Sequence, residues 1–446
     1  MRKFKFPNAL VIIVSFIFLS GLLTYIIPKG RYERTLNPAT QREVVVPGSY
    51  TPVEAPPLPV FRIFMSVPRG IIAGAEVVVL IFLVGGFFFV VDKTGAFREG
   101  IGWLASKVKG REEFALVVVG FAFALGGALE NLQEEIIPMI PILLVLTRRL
   151  GYNAWVMLCI SYGAAVIGST FSPVNPFGAV IAHKVAEMPF LSGSAFTLGA
   201  CIMAFALWMT MVIRYARKNR VEKETDANEL TLAIPIRHLI ILILVVASFV
   251  LLISGMLFLH WGFNEISAEF FVACLVVGLA GKLGVNGTFE AYAEGFKEMA
   301  FAAMIVGLAH SISLVLKEGL IQDTIIYGLF TPLQYLPPAL SAVGMMVSQA
   351  ILHITVPSNS GQAVLTIPIL APLSDLIGIS RDVCVLAFQY GAILMDMVIP
   401  TNGALMAVIA LAGISYDEWI RFVAKRILVI FIFGMIAILV AVAAGL

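Results

Sequence analysis

Apolar runs of about twenty residues recur along this chain, separated by short polar stretches that hold most of its charge. A helix needs about 20 apolar residues to cross the roughly 30 Å hydrocarbon core of a bilayer. Uninterrupted runs at 9–27, 75–92, 195–213, 239–258, 266–281, 301–316 and 427–446 therefore predict membrane-spanning helices. The segments 59–72 and 286–299 mix apolar and polar positions at helical spacing and predict amphipathic helices lying at the membrane interface.

Four further apolar stretches are interrupted in the middle. The run 113–147 is broken at GGALENLQEEIIP, 153–188 at SPVNP, 336–375 at PSNSGQ and 382–412 at IPTNG. Backbone that leaves the helix at membrane depth exposes N–H and C=O groups, which is tolerable only where they line a protected or hydrated cavity. All four breaks are therefore candidate parts of one binding site.

Orientation follows from the basic residues. Arg2, Lys3 and Lys5, then Lys93, Arg98, Lys107, Lys109 and Arg111, then Arg148 and Arg149, then RYARKNRVEK at 214–223 all belong on the cytoplasmic side by the positive-inside tendency. The span count then makes 113–147 a re-entrant hairpin from the inside and 336–375 one from the outside. The N-terminus is expected in the cytoplasm and the C-terminus outside. MRKFKFP and the apolar run behind it lack a small-residue cleavage pattern and predict a first span rather than a signal peptide.

The two halves repeat one another. MIPILLVLTRRLG at 139–151 aligns with TIPILAPLSDLIG at 366–378 at an offset of 227 residues, and SYGAAVIGSTFSPVNP at 161–176 aligns with QYGAILMDMVIPTNG at 389–403 at 227 or 228. Pro, Gly and Asn match in order across both blocks. The expected fold is all-α and polytopic, with a first repeat at 1–213, a cytoplasmic linker at 214–237 and a second repeat at 238–446 inverted by the extra span 266–281. Inverted repeats with interrupted helices at corresponding places point to a secondary transporter with its site between them.

Composition agrees, since 60% hydrophobic and 13% charged residues with a mean hydropathy of +0.96 leave no stretch for a separate soluble domain. A formal net charge of +2 gives no reason to expect nucleic acid as a partner. Cys159, Cys201, Cys274 and Cys384 stand singly in apolar runs and predict neither disulfides nor a zinc site. Membrane lipid and a small molecule are the expected partners, with no cofactor beyond Na⁺ or H⁺ as a coupling ion.

The candidate chemistry lies in the breaks. Asn131, Ser172, Asn175, Ser358, Asn359, Ser360, Gln362, Thr401 and Asn402 offer hydroxyls and amides that both donate and accept, and are the candidate substrate contacts. An ordinary surface loop is the alternative for PSNSGQ, and proline kinks with local hydroxyl repair for SPVNP and IPTNG. Glu130, Glu134, Glu135, Ser169, Thr170 and Asp396 are the candidates for a coupling ion or a substrate amine, because ionisable groups at membrane depth are costly and usually functional. Glu134 and Glu135 have the alternative of merely capping the returning helix. His310 and His353 show no metal spacing and are expected to be packing residues. Neither the serines nor the histidines are spaced as a nucleophile and base, so no enzyme is expected.

With its SNS-containing hairpin tip, its Pro-x-Asn breaks and its twofold repeat, the whole chain resembles the ion transporter superfamily of carboxylate carriers. FKFPNALVII, IPKGRYER and VVDKTGAFREGI resemble in particular the YfcC-type branch of the anaerobic C4-dicarboxylate carrier-like family. The resemblance implies a homodimer with a scaffold domain and a transport domain that moves as an elevator, and places Ser358, Asn359 and Ser360 in the second hairpin-tip motif. ENLQEE departs from the superfamily's Ser-Asn-Thr pattern and keeps only Asn131, which speaks against a symmetric pair of Na⁺ sites. The branch implies exchange of basic amino acids or transport of dicarboxylates. Acids and no Arg or Lys at the breaks favour a substrate with an amine as well as a carboxylate, with a C4-dicarboxylate as the alternative and a re-entrant-hairpin channel as the reading from another class.

Overall fold

The computed structural model describes residues 7–38, 40–189, 191–223, 234–259 and 261–446. The basic residues Arg2, Lys3 and Lys5 and the 224–233 part of the expected linker lie outside the described residues. Among those described, eight helices are long and apolar enough to cross a membrane: Ala9–Ile26, Ala75–Lys93, Glu112–Glu130, Ser194–Lys218, Ile236–Met256, Phe263–Ala280, Gly284–Glu318 and Tyr416–Ala444. The chain is a multi-pass helical membrane protein. Several of these helices leave most of their apolar surface outside the protein core, as contact with lipid requires.

Two elements depart from the expected pattern. The interfacial helix at 286–299 and the span at 301–316 form one continuous helix, Gly284–Glu318, of 35 residues. Glu290, Ala291, Glu294, Lys297 and Ala300 are polar or small but good helix formers, and no proline separates the two parts, so the change in polarity does not end the helix. At about 1.5 Å per residue it is roughly 50 Å long and exceeds the hydrocarbon core. The last helix starts at Tyr416 rather than 427, because the Ser415 side chain and Glu418 form a capping box, so Arg421, Lys425 and Arg426 sit on its first turns. Val60–Ala73 is helical as expected and is separated from Ala75–Lys93 only by Gly74.

Close backbone crossings hold the bundle together. A Cβ on Gly127 would lie 2.0 Å from the Ala165 carbonyl oxygen, and one on Gly168 would lie 1.9 Å from that of Ala124. Only glycine permits the helix Glu112–Glu130 to meet Ala154–Thr170 this closely. The long helix crosses Ala75–Lys93 in the same manner, with Gly295 set against Gly86. The segment after the first helix, expected only as an outer loop at 29–60, holds two short antiparallel ladders, Gly30–Arg31 with Thr51–Pro52 and Arg34–Asn37 with Arg42–Val45. Arg34 clamps it to the core through a bidentate pair with Asp323 at 2.7 and 3.0 Å, and Tyr50 stacks on Tyr327.

All four interrupted stretches are broken where the polar residues stand. Glu112–Glu130 ends at Asn131, which takes the left-handed conformation (φ 57°), and a 3₁₀ turn Glu134–Met139 leads into Ile140–Arg149. Pro338–His353 gives way to the extended Ser358, which caps Asn359–Leu376. Helical winding over Ala154–Thr170 stops before Pro176–Val180, and winding over Arg381–Met397 stops before Gly403–Leu411. Adding 227 to 154, 170 and 175 gives 381, 397 and 402, so the same offset carries one broken helix, with its N-cap asparagine, on to the other.

Candidate functional site

The breaks cap their own helices with side chains. Asn175 Oδ1 accepts from the backbone N–H of Phe177 and Gly178, Asn402 Oδ1 accepts from that of Leu405, and Ser358 Oγ accepts from that of Gly361. These caps do more than end helices. By fixing each amide oxygen on a backbone donor, they turn the amide nitrogen of Asn175 and of Asn402 toward the centre of the protein.

There the four breaks meet. Asn175 Nδ2 donates to Asn131 Oδ1 at 3.3 Å, and Asn359 Nδ2 donates to the same oxygen at 3.2 Å. Asn359 Nδ2 also lies 3.2 Å from Asp396 Oδ2, which accepts from Gln133 Nε2 at 2.8 Å. Asp396 Oδ1 accepts from Asn402 Nδ2 at 2.7 Å and faces His353 Nε2 at 2.8 Å. Four nitrogens from four separate segments thus converge on one buried carboxylate, and about four lone-pair positions are all that a carboxylate has. The Tyr162 hydroxyl closes the cluster, within hydrogen-bond distance of Gln133 Oε1, Asn402 Oδ1 and the Asp396 carbonyl.

A cavity of about 500 Å³ opens on this cluster, within the range that holds a small metabolite. Asn131, Ser358, Asn359, Ser360, Thr401 and Asn402 line it, as do Glu130, Glu134, Glu135 and Asp396. The first turns of Asn359–Leu376 and Gly403–Leu411 both face it, through Ser360 with Gly361 and Gly403 with Ala404. Such turns carry free N–H groups and partial positive charge suited to a carboxylate. Asn359 Oδ1 and Thr401 Oγ1 are buried without a protein partner.

The remaining candidates stand behind the cavity and bond to the protein itself. Ser169 Oγ donates to the Gly127 carbonyl, Ser172 Oγ to that of Ala128 and Thr170 Oγ1 to that of Val166. Asn175 serves as cap and strut, and Gln362 turns away toward Gln349. Ser172 takes up the Ala128 carbonyl freed at the end of Glu112–Glu130, and Ser169 adds a second donor to the Gly127 carbonyl, which already accepts the Asn131 N–H.

Several residues of the cavity and cluster were not expected from the sequence. Gln133 stands inside ENLQEE between the acids that drew attention, and His353 directly precedes the PSNSGQ break. His353 is fully buried and its two ring nitrogens are both bonded, so it is satisfied as a packing histidine would be, but by Asp396 and Gln362. His310 and Lys317 come to the cavity from the long helix, where nothing in their local sequence marks them. Lys317 supplies a positive charge that the breaks themselves lack.

A many-spanned helical protein that gathers four helix breaks around one polar cavity is built as a membrane transporter. The chain belongs to the C4-dicarboxylate anaerobic carrier family, DcuC, whose model matches residues 6–443. It is 31% identical to an uncharacterised protein of Haemophilus influenzae, over 99% of this chain and 98% of that one. It is 29% identical to a protein of Escherichia coli called a putative basic amino acid antiporter, YfcC, over 98% of this chain and 96% of the relative, in keeping with a YfcC-type branch. Among solved structures, the YdaH transporter of Alcanivorax borkumensis aligns with a TM-score of 0.46 and 14% identity, over 98% of this chain and 99% of that one.

Proposed function

We propose that this protein is a secondary active transporter of a small amino acid with a basic side chain, taken up or exchanged by an elevator movement of the four broken stretches against the remaining helices. The observation that carries the substrate class is the balance of charge around the cavity. Four carboxylates, Glu130, Glu134, Glu135 and Asp396, line it against a single lysine, Lys317, and His310. A ligand with one carboxylate and two amines complements that lining. Its carboxylate would sit against Lys317 and the two helix N-termini, and its amines against the acids. The name of the Escherichia coli relative agrees with this reading. The two inverted repeats, the re-entrant course of 113–147 and 336–375, the homodimer, the cytoplasmic N-terminus and the outside C-terminus belong to the same proposal. A cell-membrane location goes with it.

The family's description favours a second reading, a Na⁺- or H⁺-coupled C4-dicarboxylate transporter, in which Lys317 and the helix N-termini hold the substrate and the acids are structural. Thermal unfolding of the purified protein with amino acids, C4-dicarboxylates and short monocarboxylates, with and without Na⁺, separates the two. A ligand at 100 times its Kd stabilises the folded state by about 2.7 kcal/mol. Arginine, lysine or ornithine is expected to raise the unfolding temperature. A rise confined to succinate, fumarate or malate would transfer the protein to the dicarboxylate reading.

A further inference from the structure

We propose that His353 and Asp396 together form a proton-binding site, and that a cationic substrate entering the cavity displaces this one proton, so that amine and proton are exchanged. The proposal rests on the basic amino acid reading for the identity of the displacing ligand, but the proton site itself rests on hydrogen-bond direction alone.

Those directions are fixed from a backbone carbonyl outward. Gln362 Nε2 donates to the Gln349 carbonyl oxygen at 2.9 Å and to Gln349 Oε1 at 2.5 Å. A flipped Gln362 would set oxygen against both oxygens, so Gln362 Oε1 must be the atom facing His353 Nδ1 at 2.7 Å. An amide oxygen only accepts, and Nδ1 therefore carries hydrogen. Gln349 holds its own orientation by donating through Nε2 to Thr366 Oγ1, whose hydroxyl donates to the Gln362 carbonyl.

With Nδ1 protonated, the other side of the ring has two states. His353 Nε2 faces Asp396 Oδ1 at 2.8 Å, and both residues are nearly inaccessible to solvent. One proton in that line satisfies both atoms, whether it rests on Nε2 with the carboxylate ionised or on Oδ1 with the imidazole neutral. Without it, a nitrogen lone pair and a carboxylate oxygen confront each other with no water between them. Asp396 cannot place the proton elsewhere, because Asn402, Gln133 and Asn359 fill its remaining positions, and Asn402 is held in its orientation by the Leu405 N–H. The line therefore holds one proton while the cavity is in the state described.

The same carboxylate reaches the cavity surface, whereas His353 does not. An ammonium group arriving beside Asp396 brings both the charge and the N–H donors that the proton supplies. The proton then leaves Nε2 or Oδ1 for the aqueous phase, and the His353–Asp396 hydrogen bond is given up as the carboxylate turns from the ring toward the ammonium. Besides His353, Glu134 and Tyr162 interact with Asp396 electrostatically, Glu135 adjoins Glu134, and Glu130, His310 and Lys317 also line the cavity.

The test combines proton counting with histidine spectroscopy on the purified full chain. Arginine is titrated into weakly buffered wild-type protein while released protons are counted, and ¹⁵N-labelled histidine, assigned by comparison with His353→Gln, reports the ring. Infrared difference spectra against Asp396→Asn report a protonated carboxyl. The expected result without ligand is a proton on Nε2 or on Asp396, together with protonated Nδ1, and release of about one proton per arginine bound. Arginine binding with no proton released and an unchanged His353 spectrum would overturn the exchange while leaving the amino acid reading intact. If arginine, lysine and ornithine all fail to bind, that reading falls, and the ligand-free spectra decide the proton site alone. A proton found on neither atom overturns it.

Discussion

Asn359 Nδ2 lies 3.2 Å from Asn131 Oδ1, joining the PSNSGQ break to the ENLQEE break across 228 residues of sequence. The contact also sets Asn359 Oδ1, which has no protein partner, beside the cavity. One amide thus fastens two breaks together with its nitrogen and leaves its oxygen without a protein partner.

Asn359→Ala is expected to abolish ligand-induced stabilisation while the protein still folds, with a loss of about 1 kcal/mol for the neutral hydrogen bond to Asn131 and somewhat more for the bond to the carboxylate. Thermal unfolding with and without arginine measures both effects. Full ligand response in this variant would remove the PSNSGQ break from the site.

Asp396→Asn replaces an acceptor by an amide whose nitrogen must face other N–H donors. Four polar groups are arranged around Asp396, and leaving a buried group of this kind unpaired costs about 3 kcal/mol or more. The variant is expected to unfold at a lower temperature and to lose pH dependence of uptake into proteoliposomes more completely than it loses substrate affinity. Unchanged pH and Na⁺ dependence would refute the coupling role.

Glu134→Gln separates amine recognition from helix capping, and Glu130→Gln, at the end of the preceding helix, tests amine recognition alone. Each removes a carboxyl group from the cavity lining but leaves a polar side chain of nearly the same shape. Arginine binding should weaken at least tenfold, about 1.4 kcal/mol, with little loss of stability. Equal stability loss and intact arginine affinity would mark the acids as structural.

Gly127→Ala drives a methyl group into the Ala165 carbonyl oxygen. Overpacking of this kind costs about 1–3 kcal/mol, so the yield of folded protein should fall, and Gly168→Ala should behave alike. An unaltered unfolding temperature for both would mean the crossing is looser than described.

Arg34→Ala releases the bidentate clamp on Asp323. Its effect is expected on the outer segment alone, as faster proteolysis within residues 29–58, with the helices unfolding as before. Protection equal to wild type would show that the Tyr50 stack on Tyr327 and the Gly30, Tyr32 and Tyr50 hydrogen bonds hold the segment without Arg34.

The helices and their four interruptions were legible in the sequence because both are local properties. Twenty apolar residues make a span wherever they occur, and Pro138, Pro176, Pro357 and Pro400, with the short polar residues near them, mark the breaks by what each residue type cannot do within a helix. The 227-residue offset likewise survives in the letters, since Asn175 and Asn402 are both caps. A local change in polarity misled at 286–299, because helix-forming residues carry a helix through a polar stretch as readily as through an apolar one.

Tertiary structure alone decided which polar groups serve the cavity and which serve the protein. Ser169, Ser172 and Ser360 are the same residue type beside similar breaks, yet Ser169 and Ser172 bond to carbonyls of a neighbouring helix and Ser360 faces the cavity. The sequence determined a membrane protein with four breaks. The fold placed Asp396, Gln133 and His353 within hydrogen-bond reach and brought Lys317 to the same cavity. A hydrogen bond depends on positions in space to within a few tenths of an ångström, and hydropathy read along a chain holds no information about which distant turn will lie opposite.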